Sequence, residues 1–493
     1  MPKTWFIFLI AFLSLRLVFW FTAFPNPDEA YYWLWGQHPG LSYYDHPPLN
    51  AWIQGLFTAI LGRSAFALRL PNIISTCVLL YTYYCINQHL YGEKAKQSFW
   101  LVILLILASP LYFLLLALAW HDHCLIAFSL VSAYWFITFL DGYLEDGSGE
   151  SWRLYGAAAA LGLAGLCKYN AVFIATGFLV TLIIERRLRP LLWERRFYFA
   201  TAIALIAVVP ILLWNINHDF RSFQYYTNRT NVAHLKFKLG SCLDFILLSI
   251  IIISPPICVS FIHSIKQHFQ MMRMNSVYPA VAFCVFATST VTIIAVSLTS
   301  VAYYYWNIIA YILLFPVLPS VFLHFPFTTA ILKRKRLFFG TQAFGLFAAI
   351  LLVVHYCVLP IPALFDKEAD PGSRMQFGWE NVASVVKAQA LELGGTPFFV
   401  TTDYRSASAL AYQLDNPNVT AISDRIDQFD FWHQDYREFK GRNAIILWDD
   451  WYPAESQLLG RWERLSRPTT ISVTRFGVWI KNYYVLKSYG FKG

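Results

Sequence analysis

The sequence predicts a mainly α-helical, polytopic membrane protein that ends in a soluble α/β domain. Of its 493 residues, 57% are hydrophobic and only 14% are charged. The apolar residues come in long blocks, as in chains that cross a bilayer several times. After about residue 362 these blocks give way to an ordinary soluble composition. The three observations together exclude a purely water-soluble globular protein.

The formal net charge of +9 does not indicate a nucleic-acid partner. The Lys and Arg residues fall in short clusters between apolar blocks, where they are typical of residues that set the orientation of a membrane protein. We therefore expect no nucleic-acid binding.

Eleven apolar blocks of about spanning length predict eleven transmembrane helices. They lie at 5–24, 66–90, 99–118, 124–140, 154–167, 170–185, 197–214, 241–263, 277–298, 307–325 and 338–360. With the N-terminus inside, the basic residues of the connections fall on the inner side of the membrane. They are Lys94 and Lys96; Arg186, Arg187, Arg189, Arg195 and Arg196; Lys266 and Arg273; and Lys333, Arg334, Lys335 and Arg336.

The outer connections of this topology receive the unusual polar residues. They are the loop at 25–64, the turn at 119–123, the junction at Lys168, the loop at 215–240 and the turn at 301–306. We therefore predict that the site of any chemistry lies on the outer side.

The C-terminal region predicts an extracytoplasmic α/β domain at 362–493, after a membrane domain at 1–361. GWENVASVVKAQALELGG and YRSASALAYQL read as helices, and PFFVTTD, AIILWDD and TISVTRFGVWI as strands. None of the eight cysteines lies in this region, so no disulfide framework is indicated. The sequence has no P-loop or dinucleotide signature, and energy for a reaction must arrive with the substrate.

The stretch from Pro25 to Trp52 is the strongest sign of a reaction site. Asp28, Glu29, Asp45 and His46 follow the first apolar block, among many aromatic rings. Titratable groups at a membrane boundary are costly to bury, and so many of them favour a cleft over a plain connector.

Several motifs in a fixed order carry a resemblance to a known family. They are PDEAYYW, SYYDHPPL, HD after the third helix, GLAGLCKYNAV and LLWNINHDFRSFQYYTNR, with TTDYRSASALAYQL and QFDFW resembling the soluble domain more loosely. The chain resembles the bacterial branch of the protein O-mannosyltransferase and lipid A aminoarabinose transferase superfamily. The resemblance implies a GT-C fold and a glycosyltransferase that uses a polyprenyl-phosphate sugar.

For the carboxylate pair, the resemblance implies that Asp28 is the base for the acceptor hydroxyl. Glu29 would position the acceptor or tune Asp28, because two close carboxylates resist ionising together. A structural alternative is that Asp28 caps a helix beginning at Glu29.

The run Tyr44, Asp45, His46, Pro47, Pro48 matches the acidic-basic-Pro-Pro motif of the family. The resemblance implies that Asp45 helps to bind a divalent metal and that His46 approaches the donor phosphate. This sequence has His46 in place of a permanently charged Lys. It also reads Tyr303 to Trp306 in the turn where relatives often place a His. A bound metal is therefore a possibility and not a firm expectation.

The resemblance further assigns the donor phosphate to Lys168, with Tyr169 beside it, and to Arg229. Two cations are expected for a phosphate in a low-dielectric cleft. Asp122, between two histidines, would hold one of these cations or bind acceptor hydroxyls. Lys168 as a snorkelling lysine at a helix end is the structural alternative.

We therefore predict an inner-membrane enzyme that moves one sugar from a polyprenyl phosphate, with undecaprenyl phosphate as the expected carrier, to an extracytoplasmic acceptor with inversion. The acceptor would be lipid A or another lipid, glycan or protein of the cell envelope. A lipid-linked sugar flippase and a non-catalytic glycolipid-binding protein are the alternatives. The sequence identifies neither the sugar nor the acceptor.

Overall fold

The computed structural model describes residues 2–230, 237–271, 276–323 and 328–493. The chain forms two compact units, and both draw on more than one stretch of sequence. The first comprises Met1–Arg16, His46–Asn50 and Pro71–Ile350, and the second Leu17–Asp45, Ala51–Leu70 and Leu351–Gly493. The predicted boundary at residue 361 between membrane and soluble domains stays a prediction.

The part before residue 360 contains helices and their connections, with no strand among its described residues. Its α-helices are α1 (Lys3–Thr22), α2 (Pro27–Gln37), α3 (Leu49–Leu61), α4 (Ala65–Tyr91), α5 (Ala95–Leu107), α6 (Pro110–Leu115), α7 (Asp122–Asp146), α8 (Ser151–Cys167), α9 (Val172–Ile184), α10 (Arg195–Ala207), α11 (Val209–Asn217), α12 (Arg221–Thr230), α13 (Leu239–Ile253), α14 (Pro255–Met271), α15 (Tyr278–Ser297), α16 (Ile308–Ile312), α17 (Leu318–Leu323) and α18 (Thr328–Val353).

Every predicted transmembrane segment overlaps a helix or a pair of consecutive helices. Among the described residues, five helices are long and apolar enough to cross a membrane, or up to eight if each bent pair is one span. The count of eleven spans therefore stays a prediction. Arg273, which the predicted topology places in an inner connection, lies outside the described residues, as do residues 231–236 of the predicted outer loop.

The predicted single span at 241–263 is wrong in one respect, because the chain bends by 94° between α13 and α14. The break falls at Ser254, whose φ of +100° is not helical, and at the following Pro255. Proline has no N–H for the helix ladder, and its ring clashes with the carbonyl one turn earlier. An apolar run alone does not reveal such a break.

The C-terminal region adds the remaining helices and one sheet of six strands. The helices are α19 (Pro371–Arg374), α20 (Trp379–Leu393), α21 (Tyr404–Leu414), α22 (Gln428–Trp432) and α23 (Ser456–Leu459), and the strands are β1 (Phe398–Thr401), β2 (Val419–Ala421), β3 (Ala444–Asp449), β4 (Trp462–Leu465), β5 (Thr469–Arg475) and β6 (Val478–Phe491). The strand order is β2-β1-β3-β6-β4, and β5 also pairs with β6. The predicted small α/β domain is thereby confirmed.

One side of the sheet is parallel and the other side is antiparallel. Strand β1 is parallel to β2 and β3, whereas β6 is antiparallel to β3, β4 and β5. The segment TISVTRFGVWI, read as one strand, contains β5, a tight turn and the start of β6. Phe476 and Gly477 both have positive φ there, as hairpin turns of two residues require.

Candidate active site

Helix α2 carries the Asp-Glu pair, and its start is fixed by Asn26. The Asn26 side chain accepts a hydrogen bond of 2.9 Å from the N–H of Asp28, and its own N–H donates to Glu29 Oε2 at 2.7 Å. Pro27 occupies the first helical position, where its missing N–H costs nothing. The alternative in which Asp28 caps a helix beginning at Glu29 is therefore wrong, because Asn26 is the cap.

Glu29 forms a buried ion pair with Arg69. The guanidinium donates to both carboxylate oxygens, at 3.0 and 2.8 Å, and the Glu29 side chain is 0% exposed. Arg69 also donates to the backbone carbonyls of Phe19, Trp20 and Ala23. The ion pair occupies the Glu29 carboxylate, and the predicted positioning of the acceptor by Glu29 stays a prediction. Its predicted electrostatic effect on Asp28 stays a prediction.

Asp28, in contrast, is only half-buried. The Tyr404 hydroxyl, from the first turn of α21, donates to Asp28 Oδ1 at 3.3 Å. A carboxylate in the first turn of a helix is stabilised by the helix dipole. Of the two neighbouring carboxylates, Asp28 is thus the one that a ligand can reach.

Tyr44 and Asp45 contact the segment after β2. The Tyr44 N–H donates to Gln428 Oε1 at 2.8 Å, and its ring stacks on Phe431 with centroids 5.3 Å apart. Arg425 lies 3.9 Å from Asp45 in an ion pair. No group of three or more His, Cys, Asp and Glu side chains that could hold a metal occurs in the described part of the chain. The neighbours described for Asp45 do not fit the predicted metal role, and that role stays a prediction.

Lys168 and Asp122 meet because they end neighbouring helices of the same unit. Asp122 is the first residue of α7, and Lys168 follows the last residue of α8. The ammonium donates to both carboxylate oxygens, at 2.9 and 3.0 Å, and the two side chains are 8% and 1% exposed. The Lys168 ammonium also lies 5.2 Å from the ring centroid of Tyr305. Asp122 therefore pairs with Lys168, and the predicted role of that pair in binding the donor phosphate stays a prediction.

Arg229, near the end of α12, is held by aromatic rings. Its guanidinium lies 5.6 Å from the Tyr225 ring centroid, 5.2 Å from that of Tyr303 and 5.3 Å from that of Trp306. Tyr303 in turn stacks on Tyr305, with centroids 5.6 Å apart. The Tyr303 to Trp306 turn therefore links the two predicted phosphate-binding cations.

His46 and Tyr169 belong to the same group of side chains. The Tyr226 hydroxyl lies 3.1 Å from His46 Nδ1, and the Tyr226 ring packs edge-on against Tyr169 at 5.1 Å. The His46 ring lies 4.5 Å from that of His121. Burial, together with the charges of Lys168 and Arg229, holds the pKa of His46 well below 6.5. His46 is therefore neutral at pH 7 and offers a hydrogen bond, not a positive charge.

The predicted residues thus form two groups, one in each compact unit. The first unit holds His46, Asp122, Lys168, Tyr169 and Arg229, and the second holds Asp28, Glu29, Tyr44 and Asp45. Sequence reasoning missed the contributions of Tyr226, Tyr404 and Arg425. A signal existed for two of these, since Tyr226 lies in QYYTNR and Tyr404 in TTDYRSASALAYQL.

The chain is similar to known proteins in sequence and in fold. A family model described as dolichyl-phosphate-mannose-protein mannosyltransferase matches residues 45–214. That range contains Asp45, His46, Asp122, Lys168 and Tyr169.

One curated relative and two solved structures are similar to the chain. The lipid A galacturonosyltransferase RgtD of Rhizobium johnstonii is 24% identical over 263 residues. The match covers 50% of this chain and 50% of the relative, so it spans about half of the relative's length. ArnT from Cupriavidus metallidurans has a TM-score of 0.65 in the apo state, at 14% identity and 97% coverage of both chains. Its structure bound to undecaprenyl phosphate gives 0.62, at 14% identity and 98% coverage of both. At these identities the two structures show the fold, and the predicted GT-C fold is confirmed.

Proposed function

We propose that this chain is a GT-C glycosyltransferase of the ArnT-like superfamily and moves a single sugar from a polyprenyl phosphate to an extracytoplasmic acceptor. The carrier is undecaprenyl phosphate, and the acceptor is lipid A or another glycan of the cell envelope. The enzyme lies in the bacterial inner membrane with its site on the periplasmic side. The names of the relatives support these assignments, since one acts on lipid A and one binds undecaprenyl phosphate.

The observation that carries the proposal is the hydrogen bonding of the Lys168 ammonium. This buried ammonium has three N–H donors, and two of them go to Asp122. Among the described residues the third donor has no hydrogen-bond partner. A buried cation with a donor to spare is suited to bind an incoming anion, and Asp122 and Tyr305 hold it in place meanwhile.

Arg229 is the second cation for the donor phosphate. A planar guanidinium can give two parallel hydrogen bonds to phosphate oxygens. Its aromatic neighbours restrict its orientation before the ligand arrives. Neutral His46 then contributes a hydrogen bond and no charge.

Asp28 acts as the general base on the acceptor side. The acceptor hydroxyl oxygen attacks the anomeric carbon of the donor sugar and gives its proton to Asp28. The bond from that carbon to the phosphate oxygen breaks, and undecaprenyl phosphate leaves as the anion that Lys168 and Arg229 stabilise. One displacement at the anomeric carbon inverts its configuration.

The test is turnover by the purified full-length protein in lipid nanodiscs. A panel of undecaprenyl-phosphate sugars is supplied with lipid A and other envelope glycans, with and without a chelator. We expect transfer from one donor and a loss of about 10²- to 10⁴-fold in kcat for Asp28→Asn, the range for removal of a general base. The chelator arm decides whether a divalent metal is required.

Asp415→Asn is the matched control, because Asp415 is a 61% exposed carboxylate that pairs with Arg63 at the surface. It should turn over at the wild-type rate. Binding of undecaprenyl phosphate should survive in Asp28→Asn. If Asp28→Asn keeps full transfer, the proposed base is wrong. If wild-type protein binds such lipids but transfers from none, the chain is a glycolipid-binding protein instead.

A further inference from the structure

A cavity of about 520 Å³ opens in the C-terminal domain at the carboxyl ends of its parallel strands. It is lined by residues that follow β1, β2 and β3, among them Tyr404, Arg405, Arg425 and Tyr452. Ligands of α/β sheets bind preferentially at this edge, where neighbouring loops diverge. The volume is within the range of roughly 300–1,000 Å³ for small-molecule sites.

The cations of this cavity are arranged around one aromatic ring. The guanidinium of Arg425 lies 4.4 Å from the ring centroid of Tyr404, and that of Arg405 lies 5.1 Å from the same centroid. Arg405 also donates to the Tyr452 hydroxyl at 3.0 Å. Arg461 adds a third guanidinium at the exposed rim. Cations that line one cavity beside the same ring favour an anionic ligand.

Three carboxylates also face the cavity, and they differ in their surroundings. Asp424 and Glu455 are exposed at the rim. Asp403 is buried, accepts hydrogen bonds from the first turn of α21 and has its pKa raised by burial and by Asp449. Its Oδ2 is buried without a hydrogen-bond partner among the described residues. Such an oxygen is placed to accept a hydroxyl hydrogen from a ligand.

The cavity is connected to the proposed catalytic base through Tyr404. This residue lines the cavity, and its hydroxyl donates to Asp28 at 3.3 Å. Arg425 similarly lines the cavity and pairs with Asp45. A molecule in the cavity would therefore contact the tyrosine that hydrogen-bonds the proposed base.

We propose that this cavity is the acceptor subsite and binds a phosphorylated sugar headgroup. The guanidiniums of Arg405 and Arg425 take the phosphate, since their planar donors match its oxygens. The rings of Tyr404 and Trp451 and the free oxygen of Asp403 take the sugar face and a hydroxyl. The assignment to the acceptor rests on the proposed transferase function, whereas binding in the cavity is independent of it.

Equilibrium dialysis of the full-length protein in detergent tests the proposal without any donor. The probes are labelled glucosamine 1-phosphate, glucosamine and inorganic phosphate. We expect the sugar phosphate to bind at least about tenfold more tightly than either fragment, and Arg405→Gln to weaken it by about tenfold or more. Arg461→Gln, at the exposed rim and remote from the fold's interior, should weaken it by a smaller factor.

Arg467→Gln is the matched control, because Arg467 is exposed on the connection between β4 and β5 and does not line the cavity. It should bind as the wild type does. In the turnover assay, Arg405→Gln should raise the KM for a phosphorylated acceptor and leave the KM for the donor unchanged. Equal binding by the Arg405→Gln, Arg461→Gln and wild-type proteins would overturn the proposal, as would inorganic phosphate binding as tightly as the sugar phosphate. Binding of the sugar phosphate by a protein that turns over no donor would instead overturn the transferase function.

Discussion

Two buried ion pairs of the molecule, Glu29 with Arg69 and Asp122 with Lys168, differ in whether the cation has an N–H donor left for a ligand. Arg69 donates to both oxygens of Glu29 and to four backbone carbonyls. Lys168 donates twice to Asp122 and keeps an N–H without a partner among the described residues. The first cation is fully engaged by the fold. The second retains capacity to bind a ligand, and this difference separates a structural ion pair from a candidate binding site.

The largest expected effect is on the free energy of unfolding and comes from breaking the ion pair of Glu29 and Arg69. Arg69→Met leaves the carboxylate of Glu29 buried and unpaired, which should cost about 3–5 kcal/mol of unfolding free energy. The double change Glu29→Gln and Arg69→Met removes the orphaned charge and should recover much of the loss. Denaturant unfolding in detergent measures both.

Turnover per folded molecule should be nearly unchanged in the double variant, because both side chains are buried in the ion pair, at 2% and 0% exposed. A loss of kcat of about a hundredfold in the well-folded double variant would contradict the structural role of this pair. It would mean that Glu29 takes part in the reaction.

The second largest expected effect is on binding of the polyprenyl phosphate and comes from replacing Lys168. Lys168→Met should weaken binding of undecaprenyl phosphate by about 10²-fold, the scale for loss of one preorganised charged donor. The same change orphans Asp122, so the double change Asp122→Asn and Lys168→Met serves as the folded control. Binding is measured by displacement of a labelled polyprenyl phosphate.

The double variant should regain stability and still fail to bind the donor phosphate. If it binds as tightly as the wild type, Lys168 is a structural residue like Arg69, and the contrast between the two pairs disappears.

The smallest effect is a pH dependence due to His46. Burial and the nearby charges of Lys168 and Arg229 lower its pKa in the folded protein below 6.5. Below about pH 6.5 the unfolded chain therefore binds more protons than the folded one, and acid favours unfolding. His46→Gln should make the loss of thermal stability between about pH 7 and about pH 5 shallower.

The loss should not vanish in His46→Gln, because burial, the largest cause, also lowers the pKa of His121 and is still present in this variant. An unchanged pH profile in this variant would mean that His46 titrates normally and is not enclosed by the two cations.

The sequence predicted features that depend on local pattern. The apolar runs predicted where the helices lie. The position of Lys168 directly after such a run predicted that it lies at a helix end. The sequence could not reveal contacts between residues that are distant along the chain. Tyr404 and Asp28 are 376 residues apart, and Gln428 and Tyr44 are 384 apart. Pairings of this kind are set by tertiary packing, on which one sequence carries no direct information.

Arg69 illustrates the same limit. It lies within the apolar run at 66–90, where nothing in its surroundings indicates a partner, yet it determines the role of Glu29. The hairpin at Phe476 and Gly477 was missed for a different reason, since its flanking residues continue the β pattern on both sides.

The anomeric configuration of the product tests the central claim most directly. A donor of known configuration is turned over by wild-type protein, and the product is analysed by ¹H NMR. A single attack by a hydroxyl activated by Asp28, with the phosphate leaving toward Lys168 and Arg229, predicts complete inversion. Retention of configuration is not the outcome of one backside displacement and would contradict the account.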